Sequence, residues 1–114
     1  MEVQPRQIQN YLTADGRTPF VEWLGSLRDT QTRAKIRNRL KRVESGNLGD
    51  YRSVGEGVCE LRINYGPGYR VYFGQIGSTI VLLLCGGDKS TQEQDIEKAK
   101  EYWRDYERSE STKE

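Results

Sequence analysis

Histidine does not occur among the 114 residues of this chain. Its absence removes the side chain that most often moves protons near neutral pH, and with it the Ser-His-Asp and Cys-His nucleophile systems. Cysteine is scarce: Cys59 and Cys85 stand too far apart in the sequence for a metal-binding pair, and no histidine completes a zinc site. Both lie in apolar, strand-like segments, which predicts buried reduced thiols. Carboxylates do not cluster in the manner of a two-metal site, so no metal and no cofactor are expected. Long apolar runs are also missing. There is no membrane-length segment and no N-terminal stretch of signal-peptide type, and the expectation is a cytoplasmic protein without a membrane partner.

Charged residues make up 31% and hydrophobic residues 34% of the chain. So polar a composition is compatible with disorder, but two Trp, seven Tyr and two Phe fall inside patterned segments. They predict a single domain over residues 1–108, followed by a polar, frayed tail over 109–114. Net charge is only +1, yet it is unevenly placed. Arg28 to Arg70 contains ten basic and five acidic residues, whereas Glu93 to Glu114 contains five basic and eight acidic ones. The middle of the chain is suited to an anion such as nucleic acid, or else it is a solvated basic face balanced by an acidic one.

Periodicity gives the element order. Val3 to Leu12 reads as a strand, with Pro5 suited to a sheet edge. Thr18 and Pro19 open a helix in which Phe20, Trp23, Leu24 and Leu27 form one apolar stripe. A second helix starts near Asp29 or Thr30, buries Ile36, Leu40 and Val43, and stops at Gly46. Cys59, Leu61 and Ile63 then alternate with Glu60, Arg62 and Asn64, the pattern of a half-buried strand. Tyr69, Val71 and Phe73 repeat it after a Gly66-Pro67-Gly68 turn, and Ile80 to Leu84 is apolar on both faces, as in a central strand. Thr91 and Gln94 have the spacing of a capping box for a last helix that aligns Ile96, Ala99, Trp103 and Tyr106. The expected fold is α+β, with the last three strands an antiparallel meander and the helices on one sheet face. Glu60, Arg62, Arg70 and Tyr72 would then lie on the other face.

Arg62 and Arg70 on neighbouring strands suit phosphate recognition, since each guanidinium is a planar fork of donors with a permanent charge. Lys89 follows the central strand and can approach the same patch. Tyr72 and Tyr65 can stack on bases or donate a proton. The alternative is a solvated sheet face on which Arg62 pairs with Glu60. Without histidine or metal, such a site can still cleave RNA if a base takes the 2′-hydroxyl proton and cations stabilise the extra negative charge. Gly86-Gly87-Asp88-Lys89-Ser90 lacks the P-loop spacing and reads as a strand-to-helix turn.

Three segments together, Glu60-Leu61-Arg62-Ile63, Gly66-Pro67-Gly68-Tyr69-Arg70-Val71-Tyr72-Phe73 and Leu82-Leu83-Leu84-Cys85-Gly86-Gly87-Asp88-Lys89-Ser90, resemble the RelE/ParE toxin superfamily. They resemble most its HigB-like addiction module killer branch. Phe20-x-x-Trp23-Leu24, the basic second helix and Tyr102-Trp103 fit the same branch, and the resemblance runs from about Ile8 to Tyr106. It implies two N-terminal helices packed on an antiparallel sheet with a C-terminal helix. It also implies a type II toxin that cuts mRNA in the ribosomal A site, neutralised by a cognate antitoxin, often a small helix-turn-helix protein. Arg70 matches the arginine of the Gly-Tyr-Arg strand, a transition-state stabiliser in the nucleases. Arg62 and Lys89 fall where those nucleases have basic residues. Glu60 stands where RelE itself has a lysine, and the resemblance leaves it either the general base or a residue that only orients Arg62. Asp95 falls where a catalytic tyrosine is found. The candidate catalytic set is therefore Arg62, Arg70, Lys89 and Glu60, and the candidate RNA-binding set is Arg33, Arg37, Lys41 and Tyr72. The same resemblance admits a ParE-like inhibitor of DNA gyrase, or a relative that keeps only antitoxin binding.

Overall fold

The computed structural model describes residues 4–112. In chain order it contains β1 (Gln7–Asn10), α1 (Pro19–Ser26), α2 (Thr30–Glu44), β2 (Tyr51–Gly55), β3 (Val58–Ile63), β4 (Tyr69–Ile76), β5 (Ile80–Asp88), a single 3-10 turn (Lys89–Thr91) and α3 (Gln92–Ser111). The five strands form one sheet in the order β1-β5-β4-β3-β2. The fold class is α+β, as the patterning indicates.

The sheet is mixed rather than antiparallel. β3, β4 and β5 form the expected meander, but β1 runs parallel to β5, with Gln7 opposite Ile80 and Asn10 opposite Leu83. β2, which the sequence does not announce, forms the other edge antiparallel to β3. Its residues are exposed apart from a half-buried Val54.

The helices lie on both sheet faces, not on one. α1 and α2 bring Phe20, Ile36, Leu40 and Val43 against Leu61, Ile63, Val71, Phe73, Val81 and Leu83. α3 covers the opposite face, where Ala99 and Trp103 pack with Val58, Tyr72, Leu82, Leu84 and Cys85. Full burial of one such large apolar side chain stabilises the fold by about 1.5–3 kcal/mol. Close approach depends on missing side chains. A Cβ at Gly74 would lie 2.3 Å from the Trp103 ring, and one at Gly86 2.3 Å from the Trp23 ring. Gly86 and Gly87 are thus strand residues that admit bulky neighbours, and not part of a loop. An irregularity between Tyr72 and Phe73 leaves Leu84 as an extra residue in β5, and Leu84 and Cys85 both join the α3 core.

Helix ends follow the sequence in part. Asp29 caps α2 by accepting from the Gln31 N–H at 3.2 Å and from the Thr32 hydroxyl at 2.9 Å. Thr18 precedes Pro19 at the first position of α1, yet its hydroxyl makes no capping bond. The capping box at Thr91 does not form either, because the Thr91 hydroxyl donates to Asp95 Oδ2 at 2.6 Å. Helix α3 extends through Ser111, so the first three residues of the supposed frayed tail, 109–111, are helical; residues 113–114 lie outside the described part, as does Val3 of the first strand. No helix among the described residues is long and apolar enough to cross a membrane.

Candidate functional site

Strand register builds the site. Arg62 stands directly opposite Arg70, and Glu60 opposite Tyr72, across β3 and β4. Arg52 of β2 stands opposite Glu60 on its other side. Alternation sends all five side chains to the face that α3 covers. The N-terminus of α3 closes over them, and this changes the expected picture of an open polar surface.

Glu60 is fully buried. Its Oε1 accepts from Arg52 Nε at 2.9 Å. Its Oε2 accepts from the Tyr72 hydroxyl at 3.0 Å and from Gln92 Nε2 at 2.9 Å. Arg62 Nε lies 3.7 Å from Oε1 and Arg70 Nε 3.5 Å from Oε2, so both add charge without a hydrogen bond. Burial opposes ionisation of Glu60, but the bonds from Arg52, Gln92 and Tyr72 and the Arg52 charge outweigh it and hold the carboxyl below the ordinary range. The same burial, with the Glu60 charge beside it, makes the Tyr72 phenol harder to ionise than usual.

These contacts sort the sequence-predicted residues. Glu60 is an ionised anchor for three guanidinium groups, with both oxygens engaged. Fully buried, it lies beside Arg62 and Arg70 and away from solvent. Tyr72 cannot stack on a nucleobase, because its ring is wholly enclosed. Arg70 is largely covered, its side chain only 13% exposed, whereas Arg62 is 39% and Arg52 47% exposed. Arg70 Nη1 donates to the Gly68 carbonyl at 3.2 Å, and the Lys89 N–H donates to that same carbonyl at 3.0 Å. This shared acceptor fastens the β3–β4 turn beside Lys89. Arg62, Arg70 and Lys89, with Tyr65 and the Gly66-Pro67-Gly68 turn, line a hollow of about 340 Å³.

Of the residues expected to bind RNA on α2, Arg37 and Lys41 lie away from this hollow. They border an apolar groove formed by Ile8, Phe20, Val21 and Leu24. Arg33 donates from Nη1 to the Leu27 carbonyl and so closes the end of α1. The α2 cations on the site's side are Lys35 and Arg42, which line a second hollow of about 430 Å³ with Asn38, Arg39, Asp50, Arg62 and Tyr65. Helical spacing alone separates the two sets, since 35, 38 and 42 fall on one flank and 33, 37 and 41 on another. The sequence does not reveal which flank meets β3. Arg39, counted among the surface cations by pattern, is buried. Its Nη2 donates to the Leu48 and Asp50 carbonyls at 2.6 and 3.2 Å, and its Nε to the Arg62 carbonyl at 3.4 Å.

Asp95, the residue in place of a tyrosine, packs over Gly87, where a Cβ would come within 1.9 Å of its Oδ2. Burial above all, and the charge of Asp88, raise its pKa against the lowering effect of the Thr91 hydrogen bond. Gly87 stands opposite Arg70 in the sheet. No group of three or more His, Cys, Asp or Glu among the described residues is placed to hold a metal.

The fold and site define an α+β domain in which a buried carboxylate meets three arginines, two of which line a basic hollow. The chain is 49% identical over 94 residues to an uncharacterized protein of Haemophilus influenzae, a match that covers 82% of this chain and 89% of that protein. It belongs to the same family as that protein. No family model matches the chain.

Proposed function

We propose that the chain is a RelE/ParE-like toxin of a type II toxin–antitoxin module, and that it cleaves mRNA on the ribosome. The observation that carries this reading is the convergence of Arg62, Arg70 and Lys89 on one hollow, with two of the three held by a buried carboxylate. In the reaction the 2′-hydroxyl oxygen attacks the adjacent phosphorus, the 5′-oxygen leaves, and a 2′,3′-cyclic phosphate and a 5′-hydroxyl result. Negative charge accumulates on the non-bridging oxygens as the new bond forms. Fixed guanidinium and ammonium donors stabilise that charge without reorganising. Glu60 is a positioning residue: it holds Arg62 and Arg70 in register, and its own oxygens are occupied. The proton leaving the 2′-hydroxyl and the one gained by the 5′-oxygen are then exchanged with the ribosome or solvent, so this reading expects cleavage to depend on the ribosome.

The engagement of both Glu60 oxygens also favours a second reading, a ParE-like inhibitor of DNA gyrase or a protein that binds only its antitoxin. The two are separated with purified ribosomes programmed with a defined mRNA. The nuclease reading expects a cut in the A-site codon that leaves a 2′,3′-cyclic phosphate, and no cut in the same RNA without ribosomes. An intact mRNA together with inhibited supercoiling by gyrase would overturn it.

A further inference from the structure

We infer that the hollow between α2 and β3 is a second phosphate-binding subsite, and that single-stranded RNA runs through it from the Arg62–Arg70–Lys89 hollow toward Arg42. The inference rests on the proposed function for its choice of ligand, while the surface itself stands on geometry. The two hollows share a wall made of Arg62, Ile63, Asn64 and Tyr65. The hollows therefore adjoin along the end of β3: Arg70 and Lys89 line the first, Lys35 and Arg42 line the second, and Arg62 borders both, its guanidinium beside Glu60 and its carbonyl toward Arg39 of α2. A chain of phosphates is the ligand that two adjoining cationic hollows fit, because successive phosphates can each meet cations and the guanidinium fork matches their oxygens.

The second hollow also holds more positive charge than its surroundings neutralise. Neither Lys35 nor Arg42 makes an ion pair among the described residues. Lys35 Nζ sits 5.5 Å above the Tyr65 ring instead. Arg39 forms the floor, and its Nη1 is buried without a hydrogen-bond partner. Burial and the neighbouring Arg42 charge both lower the Arg39 pKa, and Asp50, the one carboxylate in the lining, only partly offsets them. An entering phosphate would relieve this repulsion. Tyr65, half-buried with its hydroxyl 3.3 Å from Gln31 Oε1, offers an aromatic edge where the two hollows meet. The opposite flank of α2 has no such arrangement, because Arg37 and Lys41 rim an apolar groove.

The test is fluorescence anisotropy of a short fluorescein-labelled single-stranded oligouridylate across a salt series. It compares the full chain with Lys35→Ala/Arg42→Ala and with Arg37→Ala/Lys41→Ala; all four side chains are exposed, and folding is checked by circular dichroism. Loss of two phosphate contacts makes the slope of log affinity against log salt shallower by about 1.4, or about twenty-five-fold in affinity near 0.1 M salt. The Lys35/Arg42 pair should show this loss and the Arg37/Lys41 pair should not. Asp50→Asn should tighten binding. Equal losses from both pairs would mean a diffuse electrostatic effect, and unchanged RNA affinity in the Lys35/Arg42 variant would leave that surface to a protein partner; either result overturns the subsite. RNA binding with the expected pattern but without cleavage on ribosomes would overturn the nuclease and leave the subsite standing.

Discussion

Replacing Glu60 by glutamine keeps its size and removes its charge, and the groups around the carboxylate set the cost. Glu60 is fully buried and meets Arg52, Arg62 and Arg70 within 3.7 Å. Removing one side of a buried ion pair costs about 3–5 kcal/mol, because the other charge remains without its partner. Here two of the three arginines are more than a third exposed and regain water. Only Arg70, 13% exposed, stays desolvated, so the loss should fall at the lower end, about 3 kcal/mol. A glutamine amide must also turn a donor toward Arg52, Tyr72 or Gln92, all of which donate to Glu60. For a domain of this size the loss corresponds to a melting temperature lower by about 12 °C. The pH dependence has a definite sign. The folded-state pKa of Glu60 lies below its ordinary value of 4.5. The stabilisation is therefore fully present above 4.5, and it disappears as pH falls through the lower, folded value. Urea unfolding of wild type and Glu60→Gln at neutral and acid pH measures both effects. A variant as stable as wild type at neutral pH, or a difference that persists unchanged in acid, would refute the reasoning.

Other consequences of the packing are open to simple tests. Gly86→Ala should lower stability by about 1–3 kcal/mol, since its methyl group collides with Trp23, and denaturant midpoints will show it. Gly25→Ala, in α1 with nothing within 4 Å of the new methyl, should instead stabilise by about 0.5–1 kcal/mol. The Cys85 thiol, pushed up to about 12 mainly by burial, should resist alkylation at mildly alkaline pH until the protein unfolds. Mass spectrometry of iodoacetamide-treated protein across a urea series should show its labelling rise with global unfolding; rapid labelling of the native protein would contradict the burial. Lys89→Ala, an exposed change, should leave the melting temperature within about 2 °C of wild type and impair cleavage.

Legibility in the sequence differs from element to element. The β3–β4–β5 meander and the stripes of α1 and α2 were plain, because alternation and helical spacing are local properties. β2 was not, since an exposed edge strand has only Val54 to mark an inward face. The parallel pairing of β1 with β5 joins segments far apart in the chain, and no local pattern encodes it. The stripe Ile96, Ala99, Trp103 identified α3 as a packing helix without naming the face it covers. That one ambiguity decided the site: with α3 on the face of Glu60 and Tyr72, both change from accessible candidates to buried supports. Arg39 was hidden for a related reason, because a lysine- and arginine-rich helix does not show which cation turns inward. That Arg62 and Arg70 share a sheet face, by contrast, follows from strand alternation alone, although their direct opposition is a matter of register.

The central claim is most directly tested by primer-extension mapping of a reporter mRNA in cells after brief induction of wild type, Arg70→Ala and Arg70→Lys, with folding of each confirmed by circular dichroism. The account predicts codon-phased cuts with wild type, none with Arg70→Ala and few with Arg70→Lys, which keeps the charge but loses the fork. Growth arrest without cuts in any of the three, or equal cutting by wild type and folded Arg70→Ala, would contradict it.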